Sequence, residues 1–301
     1  MRKAVQVAIL LLGTVAAFEL AAFWRHCQNL RSYYREGTRA TSPTSPADSW
    51  PNTLYMFSDA MPTEHILDTL NANQGLRLVK VGPHEGTAFM KKNCPEYAAA
   101  YATVLPLSFK SDIFRLCALL STGGIYIDDD LRADFNLERQ FGHSMGGLLV
   151  IQDRPLWNLR PYPFWAQYSN TAVNPNFMVA RAPNHPVLRC ALDRIKFNTE
   201  THWIDDTLPA WHLSITGPSV LGGCISKSSD VGILGKFGTD SESVTGATGQ
   251  CKEMYPGANR CIFFGTGKPA ISHVPIERST PHYSDYSKIY TSRFYPRRPS
   301  F

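Results

Sequence analysis

The chain has 301 residues, 44% of them hydrophobic and 18% charged. That is a globular composition, long enough for one large core. The net charge of +5 is mild and Lys and Arg form no runs, which excludes an extended nucleic-acid surface; a slight basic balance suits an anionic small molecule such as a nucleotide diphosphate.

Met1-Arg2-Lys3 reads as a short cytoplasmic tail, residues 1–3. It is followed by an apolar run, Ala4–Trp24, broken by Gln6, Gly13, Thr14 and Glu19. A run of this length reaches across a hydrocarbon core of about 30 Å. Residues 4–24 are therefore expected to form a signal-anchor helix, with Trp24, Arg25 and His26 at the interface. The rival is a cleaved signal peptide with its core at Ala4–Ala17 and its cut near Ala21–Ala22. Arg2 and Lys3 place the N-terminus inside, although Arg25, Arg31 and Arg35 weigh against that charge bias. Residues 25–49 end in the tract Thr41-Ser42-Pro43-Thr44-Ser45-Pro46, which has no apolar surface to bury and reads as an extended stem. The globular domain is expected over residues 50–301.

Within it, Asn52–Phe57 reads as a first strand, Thr63–Asn73 as a helix with Thr63 as N-cap, and Leu76–Val81 as a second strand. Cys94–Leu105 reads as helical. Ser108–Leu120 is an amphipathic helix with Ile113, Leu116, Cys117 and Leu120 on one face. Gly123-Gly124 stops it, Ile125–Ile127 is a strand, and Asp128-Asp129-Asp130 follows at once. Gly147–Gln152 reads as a strand, the aromatic and Pro-rich Pro155–Tyr168 as loop, and Val187–Lys196 as a helix. After Gly217 short strands such as Cys261–Phe264 are set among Gly, Ser and Thr. Alternation of strands with helices predicts an α/β domain with a mostly parallel sheet.

There are seven cysteines and no CxxC or Cys/His zinc spacing. Cys251 and Cys261 flank a turn-rich loop and form the expected disulfide; Cys117, on the apolar helix face, is expected to be a buried free thiol. No Asn-x-Ser/Thr sequon occurs.

The chemistry concentrates between Ser111 and Asp130. Three adjacent carboxylates at a strand end repel one another, and a hard divalent cation relieves that repulsion. In an extended segment Asp128 and Asp130 share a face and Asp129 points elsewhere. Asp112 and Arg115, three apart on the preceding helix, project together toward the same place.

These residues resemble a family. Lys110-Ser111-Asp112-Ile113-Phe114-Arg115 followed by Gly123-Gly124-Ile125-Tyr126-Ile127-Asp128-Asp129-Asp130 is similar to the signature of the glycosyltransferases with a DXD sugar-binding region. That is family 32, with its initiation-specific α-1,6-mannosyltransferases, inositol phosphorylceramide mannosyltransferases and, sharing the core, the glucosylating clostridial toxins. Trp50–Tyr55 sits where that family has its opening Ile-Pro-Lys strand. Asn176–Ala180 with Pro183-Asn184-His185-Pro186, Thr216-Gly217-Pro218, and Pro281-His282-Tyr283 resemble its later elements in order. Tyr55-Met56 replaces the family's His-Gln pair and Leu116 its Tyr, departures that bear on the donor base and not on the metal.

The resemblance implies a single GT-A nucleotide-diphospho-sugar transferase domain of the α/β class. It implies that Asp128 and Asp130 bind Mn²⁺, with Mg²⁺ as the alternative ion, and that the cation bridges the donor diphosphate. Asp128 would also touch the ribose. Asp112 and Arg115 would hold donor-sugar hydroxyls or phosphate, Tyr126 would pack beside the nucleotide, and Asn176 would contact the sugar. His282 is the candidate for a late metal ligand, with His273 as its rival. The other histidines, His65, His84, His143, His185, His202 and His212, read as surface or capping residues. The implied activity is a retaining hexosyl transfer, with mannose favoured, from GDP-mannose or a UDP-hexose to a glycan or glycolipid. The implied place is the Golgi membrane, as a type II protein with a lumenal catalytic domain. The aromatic stretch Trp157–Tyr168 is a candidate acceptor wall. Two rivals differ in class. A haloacid-dehalogenase-like phosphatase also places Asp-x-Asp after a strand, but expects Thr or Val where Arg132 stands. A non-catalytic, membrane-anchored relic of the same fold would often have lost one of Asp112, Arg115, Asp128 and Asp130, all of which are present.

Overall fold

The computed structural model describes residues 50–59, 61–62, 64–152, 173–202, 215–225, 228–239, 260–264 and 269–273, all within the unit spanning 46–301. Among the described residues no helix is long and apolar enough to cross a membrane. The expected span 4–24, the stem 25–49, the loop Pro155–Tyr168, Thr63, His212 and His282 lie outside the described residues.

The order along the chain is β1 (Thr53–Phe57), α1 (Glu64–Ala72), β2 (Arg77–Val81), α2 (Pro83–Asn93), a 3-10 turn (Pro95–Tyr97), α3 (Ala98–Thr103), α4 (Leu107–Thr122), β3 (Gly124–Ile127), β4 (Leu131–Arg132), α5 (Leu137–Phe141), β5 (Leu148–Gln152), β6 (Val173–Ala180), α6 (Pro186–Glu200), α7 (Pro218–Ile225), β7 (Val231–Thr239), β8 (Arg260–Phe264) and β9 (Pro269–His273). Chain punctuation explains several ends. Pro stands at the first turn of α2 and of α6, where its missing N–H costs nothing. Asn136 caps α5 by accepting from the Arg139 N–H at 2.7 Å. Gly123 closes α4 at φ 68°, and a Cβ there would lie 3.0 Å from the Ala180 carbonyl oxygen, so the position requires glycine on two counts.

The strands form one sheet in the order β2-β1-β3-β6-β5-β7-β8-β9-β4. Pairing is parallel at β1–β2, β1–β3 and β5–β7, and antiparallel at β3–β6, β5–β6, β7–β8, β8–β9 and β4–β9. This corrects the mostly parallel order expected from the sequence. Strand–helix alternation holds only as far as β3. Beyond it, strands such as β7, β8 and β9 follow one another without a crossover helix among the described residues, and such neighbours pair antiparallel.

Both faces of the sheet are covered. Tyr55 and Phe57 of β1, Tyr126 of β3 and Leu148 and Val150 of β5 pack in one core with α2, α3, α4, α6 and α7. Their neighbours Leu54, Met56, Ile125, Ile127, Leu149 and Ile151 pack in a second core with α1 and α5. The period-two alternation is thus apolar on both sides, as a sheet between two helical layers demands. Helix α4 is buried nearly all round, from Phe109 to Leu120, and not along a single stripe.

Cys117 is fully buried but is no free thiol. It is bonded to Cys94, and Cys190 to Cys224, with Cα–Cα distances of 6.0 and 5.9 Å. The two apolar sulfur positions, 23 residues apart, meet because the turn after α2 folds back on α4. Cys251 lies outside the described residues, so the expected Cys251–Cys261 bond does too.

Candidate active site

Because β1 and β3 are parallel and β6 runs against them, the C-terminal ends of β1 and β3 and the start of β6 share one edge. Helix α4 runs back antiparallel to β3, so its N-terminal half lies over that same edge. Ligands of open α/β sheets bind at such an edge. Gathered there are Ser58, Asp128 to Asp130, Pro175 and Asn176 from the strands, and Ser111, Asp112 and Arg115 from α4.

Arg115 is the hub. Its guanidinium lies 4.6 Å from the centroid of the Tyr126 ring. Nη1 donates to the Pro175 carbonyl at 2.7 Å, Nη2 to Ser111 Oγ at 2.9 Å, and Nε to the Ser111 carbonyl at 3.3 Å. Nη2 also stands 3.4 Å from both Asp112 Oδ1 and Asp128 Oδ1. Pro175 can present its carbonyl because β6 bulges at this point: Asn174 pairs with Ile151, whereas Met178 already pairs with Val150. A proline inside a central strand needs such a bulge, and bulges re-aim groups beside active sites.

The carboxylates do not continue the strand. The Leu131 N–H donates to the Asp128 carbonyl at 3.1 Å, closing a turn over Asp128 to Leu131. The alternation expected of an extended segment is therefore corrected: the turn, not the pleat, sets the three side chains apart. Asp129 Oδ2 accepts from Ser58 Oγ at 2.8 Å. Asp128 Oδ1 accepts from the Tyr126 hydroxyl at 2.6 Å, and that hydroxyl lies 3.0 Å from Ser111 Oγ. Asp130 bears on Asp128 through its charge.

Burial pushes the Asp128 carboxyl up to about 6, with Asp130 and Asp129 adding to the rise against the opposing pull of Arg115 and the Tyr126 hydroxyl. Burial also raises Asp112, opposed by Arg115 and by the Thr216 hydroxyl, which donates to Asp112 Oδ2 at 2.8 Å. Asp128 is the outward member of the network: its side chain is 27% exposed, against 7% for Arg115. Asp112 and Asp128 face one guanidinium, and Asp129 and Asp130 follow in the same turn, so the site is rich in carboxylate oxygens, the ligand type a hard divalent cation prefers. Among the described residues no group of three or more His, Cys, Asp or Glu side chains is arranged so as to hold a metal ion.

Tyr126 is fully buried between Arg115 and Phe114 and donates a hydrogen bond to Asp128. Asn176 is placed beside the turn, its carbonyl accepting the Asp128 N–H at 2.9 Å. Its Oδ1 is buried and has no hydrogen-bond partner among the described residues. The backbone of His273 lies opposite Leu131, one residue past Asp130. His185, expected in a capping role, caps α6.

Ser58 was not legible as a site residue, and Thr216 was legible only as part of the Thr216-Gly217-Pro218 element, with no role attached. A serine after a first strand is ordinary, and Thr216 stands 104 residues from its partner. Pro175 did carry a signal, since proline inside a strand implies a bulge.

Residues 63–142 match the family model described as "Glycosyltransferase sugar-binding region containing DXD motif". No curated protein matches the chain. Among solved structures the chain is similar to "PaToxG Glycosyltransferase", at 18% identity and a TM-score of 0.40, over 59% of this chain and 69% of that one. It is also similar to the glycosyltransferase domain from the YGT toxin. The UDP-bound form is 14% identical with a TM-score of 0.30, over 51% of this chain and 50% of that one; the ligand-free form is 14% identical with a TM-score of 0.31, over 54% and 52%. The stretch matched by the family model contains Asp112, Arg115, Tyr126 and the whole acidic turn, so the likeness to a glycosyltransferase sugar-binding region falls on this site.

Proposed function

We propose that the protein is a metal-dependent, retaining glycosyltransferase of the GT-A type, transferring a hexose, with mannose favoured, from a nucleotide sugar to a glycan or glycolipid. The observation that carries this is the acidic turn itself. Asp128 to Asp130 stand at the edge of the sheet where ligands of such folds bind, Asp128 tied through Arg115 to Asp112, with the buried Oδ1 of Asn176 lacking a donor among the described residues. A buried acceptor without a partner costs about 1–3 kcal/mol, a penalty that a substrate hydroxyl would remove. Asp128 and Asp130 are the residues to hold Mn²⁺ or Mg²⁺, with His273 or His282 as a further ligand. When bound, the cation neutralises charge on the departing nucleotide diphosphate. Asp112 and Asn176 orient the donor sugar, and Arg115 holds both Asp112 and Asp128 in place. Retention implies departure and attack on the same face of a centre with oxocarbenium character.

Two disulfides support an oxidising compartment. They agree with a lumenal catalytic domain behind an anchor at 4–24, and with the Golgi as its place.

The test is nucleotide-sugar hydrolysis by the full-length chain over GDP-mannose, UDP-glucose, UDP-galactose and UDP-N-acetylglucosamine, with and without Mn²⁺, beside Asp130→Ala. Metal-dependent release from one donor, lost in the variant, is expected and names the sugar. Release that ignores both metal and Asp130 would overturn the metal assignment. Silence from every donor, with no Mn²⁺ binding by calorimetry, would return the chain to the relic reading.

A further inference from the structure

We infer that Thr216 is a positioning residue for donor binding, acting through Asp112; the inference rests on the donor-site reading above. Thr216 is 2% exposed and its Oγ1 donates to Asp112 Oδ2 at 2.8 Å. The other oxygen of Asp112 faces Arg115. With one oxygen tied to each partner the carboxylate has a single fixed plane, and its remaining lone pairs point in fixed directions. Without Thr216, Asp112 is held on one side only and is free to rotate about its terminal torsion.

The scaffold fixes Thr216 from both directions. The Ile215 carbonyl accepts from Asn198 Nδ2 of α6 at 2.9 Å. The Gly217 carbonyl receives the N–H groups of Val220 and Leu221 in the first turn of α7. Helices α6 and α7 are themselves joined by the Cys190–Cys224 disulfide. A hydroxyl held this firmly, and spent on one carboxylate oxygen, extends the polar network from the acidic turn through Arg115 and Asp112 to the head of α7. Ordering a carboxylate before ligand arrives lowers the cost of ordering it on binding.

The experiment compares full-length wild type, Thr216→Val and Thr216→Ser, using the nucleotide sugar that the wild type turns over. Thr216→Val keeps the shape and removes the donor; it should raise donor KM about tenfold, as loss of a hydrogen bond to a charged group does, with kcat within about twofold. Thr216→Ser should match wild type. Calorimetric donor Kd should show a non-additive cycle, with Thr216→Val adding nothing to Asp112→Ala. Should Thr216→Val not fold, Thr216→Ala against Thr216→Ser carries the same comparison. An active wild type with unchanged KM in Thr216→Val overturns the inference alone. So does an additive cycle, or a Thr216→Ser variant as impaired as Thr216→Val. A wild type that neither binds nor turns over any donor removes the donor-site reading and this inference together.

Discussion

At the scale of single residues, the site depends on side chains that no ligand touches directly. Tyr126 shows this most sharply. Its hydroxyl donates to Asp128 and meets Ser111, while its ring supports Arg115. Tyr126→Phe keeps the ring and the packing and removes the hydroxyl that donates to Asp128. A hydrogen bond to a charged group contributes about 1.5–3 kcal/mol. If Asp128 needs that bond to face the donor, kcat/KM should fall by roughly ten- to a hundredfold, with the melting temperature moved by only a few degrees. Turnover equal to wild type would show that Asp128 is oriented by Arg115 alone. The sequence displayed the charged members of this cluster, because Asp112 and Arg115 share a helix face and Asp128 closes a strand. It hid the neutral members, because Ser58, Ser111 and Thr216 have no pattern that separates a hydroxyl spent on a carboxylate from one spent on water.

Elements were legible where their pattern is local. β1, β2, β3, β5 and the central helices announce themselves by apolar runs and Gly or Pro stops, and the structure has them within a few residues of the expected ends. What was not legible depends on partners. β6 contains Asn174, Pro175 and Asn176, whose pattern gives no strand signal until β3 and β5 flank it. Helix α2, with Gly86 and two lysines, lacks a clear apolar stripe; Gly86 is there because Tyr101 occupies the space of its Cβ, the hydroxyl oxygen lying 2.0 Å from where that atom would be. Helix α6 begins at an unusual cap, and it makes a pH prediction. His185 Nδ1 accepts from the Val187 N–H at 3.3 Å and Nε2 lies 3.1 Å from the Asp230 carbonyl oxygen, an arrangement that suits the neutral ring protonated on Nε2. Burial lowers its pKa, against the opposing pull of Asp230. Unfolded histidine takes a proton near pH 6.5. The folded state therefore binds fewer protons than the unfolded one as pH falls below that value, and stability declines until the folded pKa is passed. His185→Asn retains a capping oxygen and removes the titration. Urea unfolding between pH 7.5 and 5.5 should show a shallower acid decline in the variant, the difference staying under about 1.4 kcal/mol per pH unit. Parallel pH curves would mean that another group sets the decline.

At the scale of the whole domain, the sheet separates two cores, and both disulfides lie in the one that supports the site. Cys94–Cys117 ties the turn after α2 to α4, which carries Asp112 and Arg115; Cys190–Cys224 ties α6 to α7, next to Thr216. The sequence had no means of pairing them, since the four cysteines lie in a turn and on three different helices with no spacing signature. Their loops span 23 and 34 residues, for which loop-closure entropy gives roughly 3–4 kcal/mol of stabilisation each. Reduction should accordingly lower the melting temperature by about 5–15 °C per bond at this size. It should lower activity too, because the helices loosened are those that aim the carboxylates. Cys94, Cys117 and Cys224 are at most 2% exposed, so alkylation should label these sulfurs only after reduction of unfolded protein. A native domain whose Cys94 and Cys117 react with maleimide without reductant, and whose melting temperature ignores reductant, would show that the pairing is not what holds α4. Loss of activity without loss of the melting transition is the outcome that would tie the bonds to the site, since a purely structural staple would move both together.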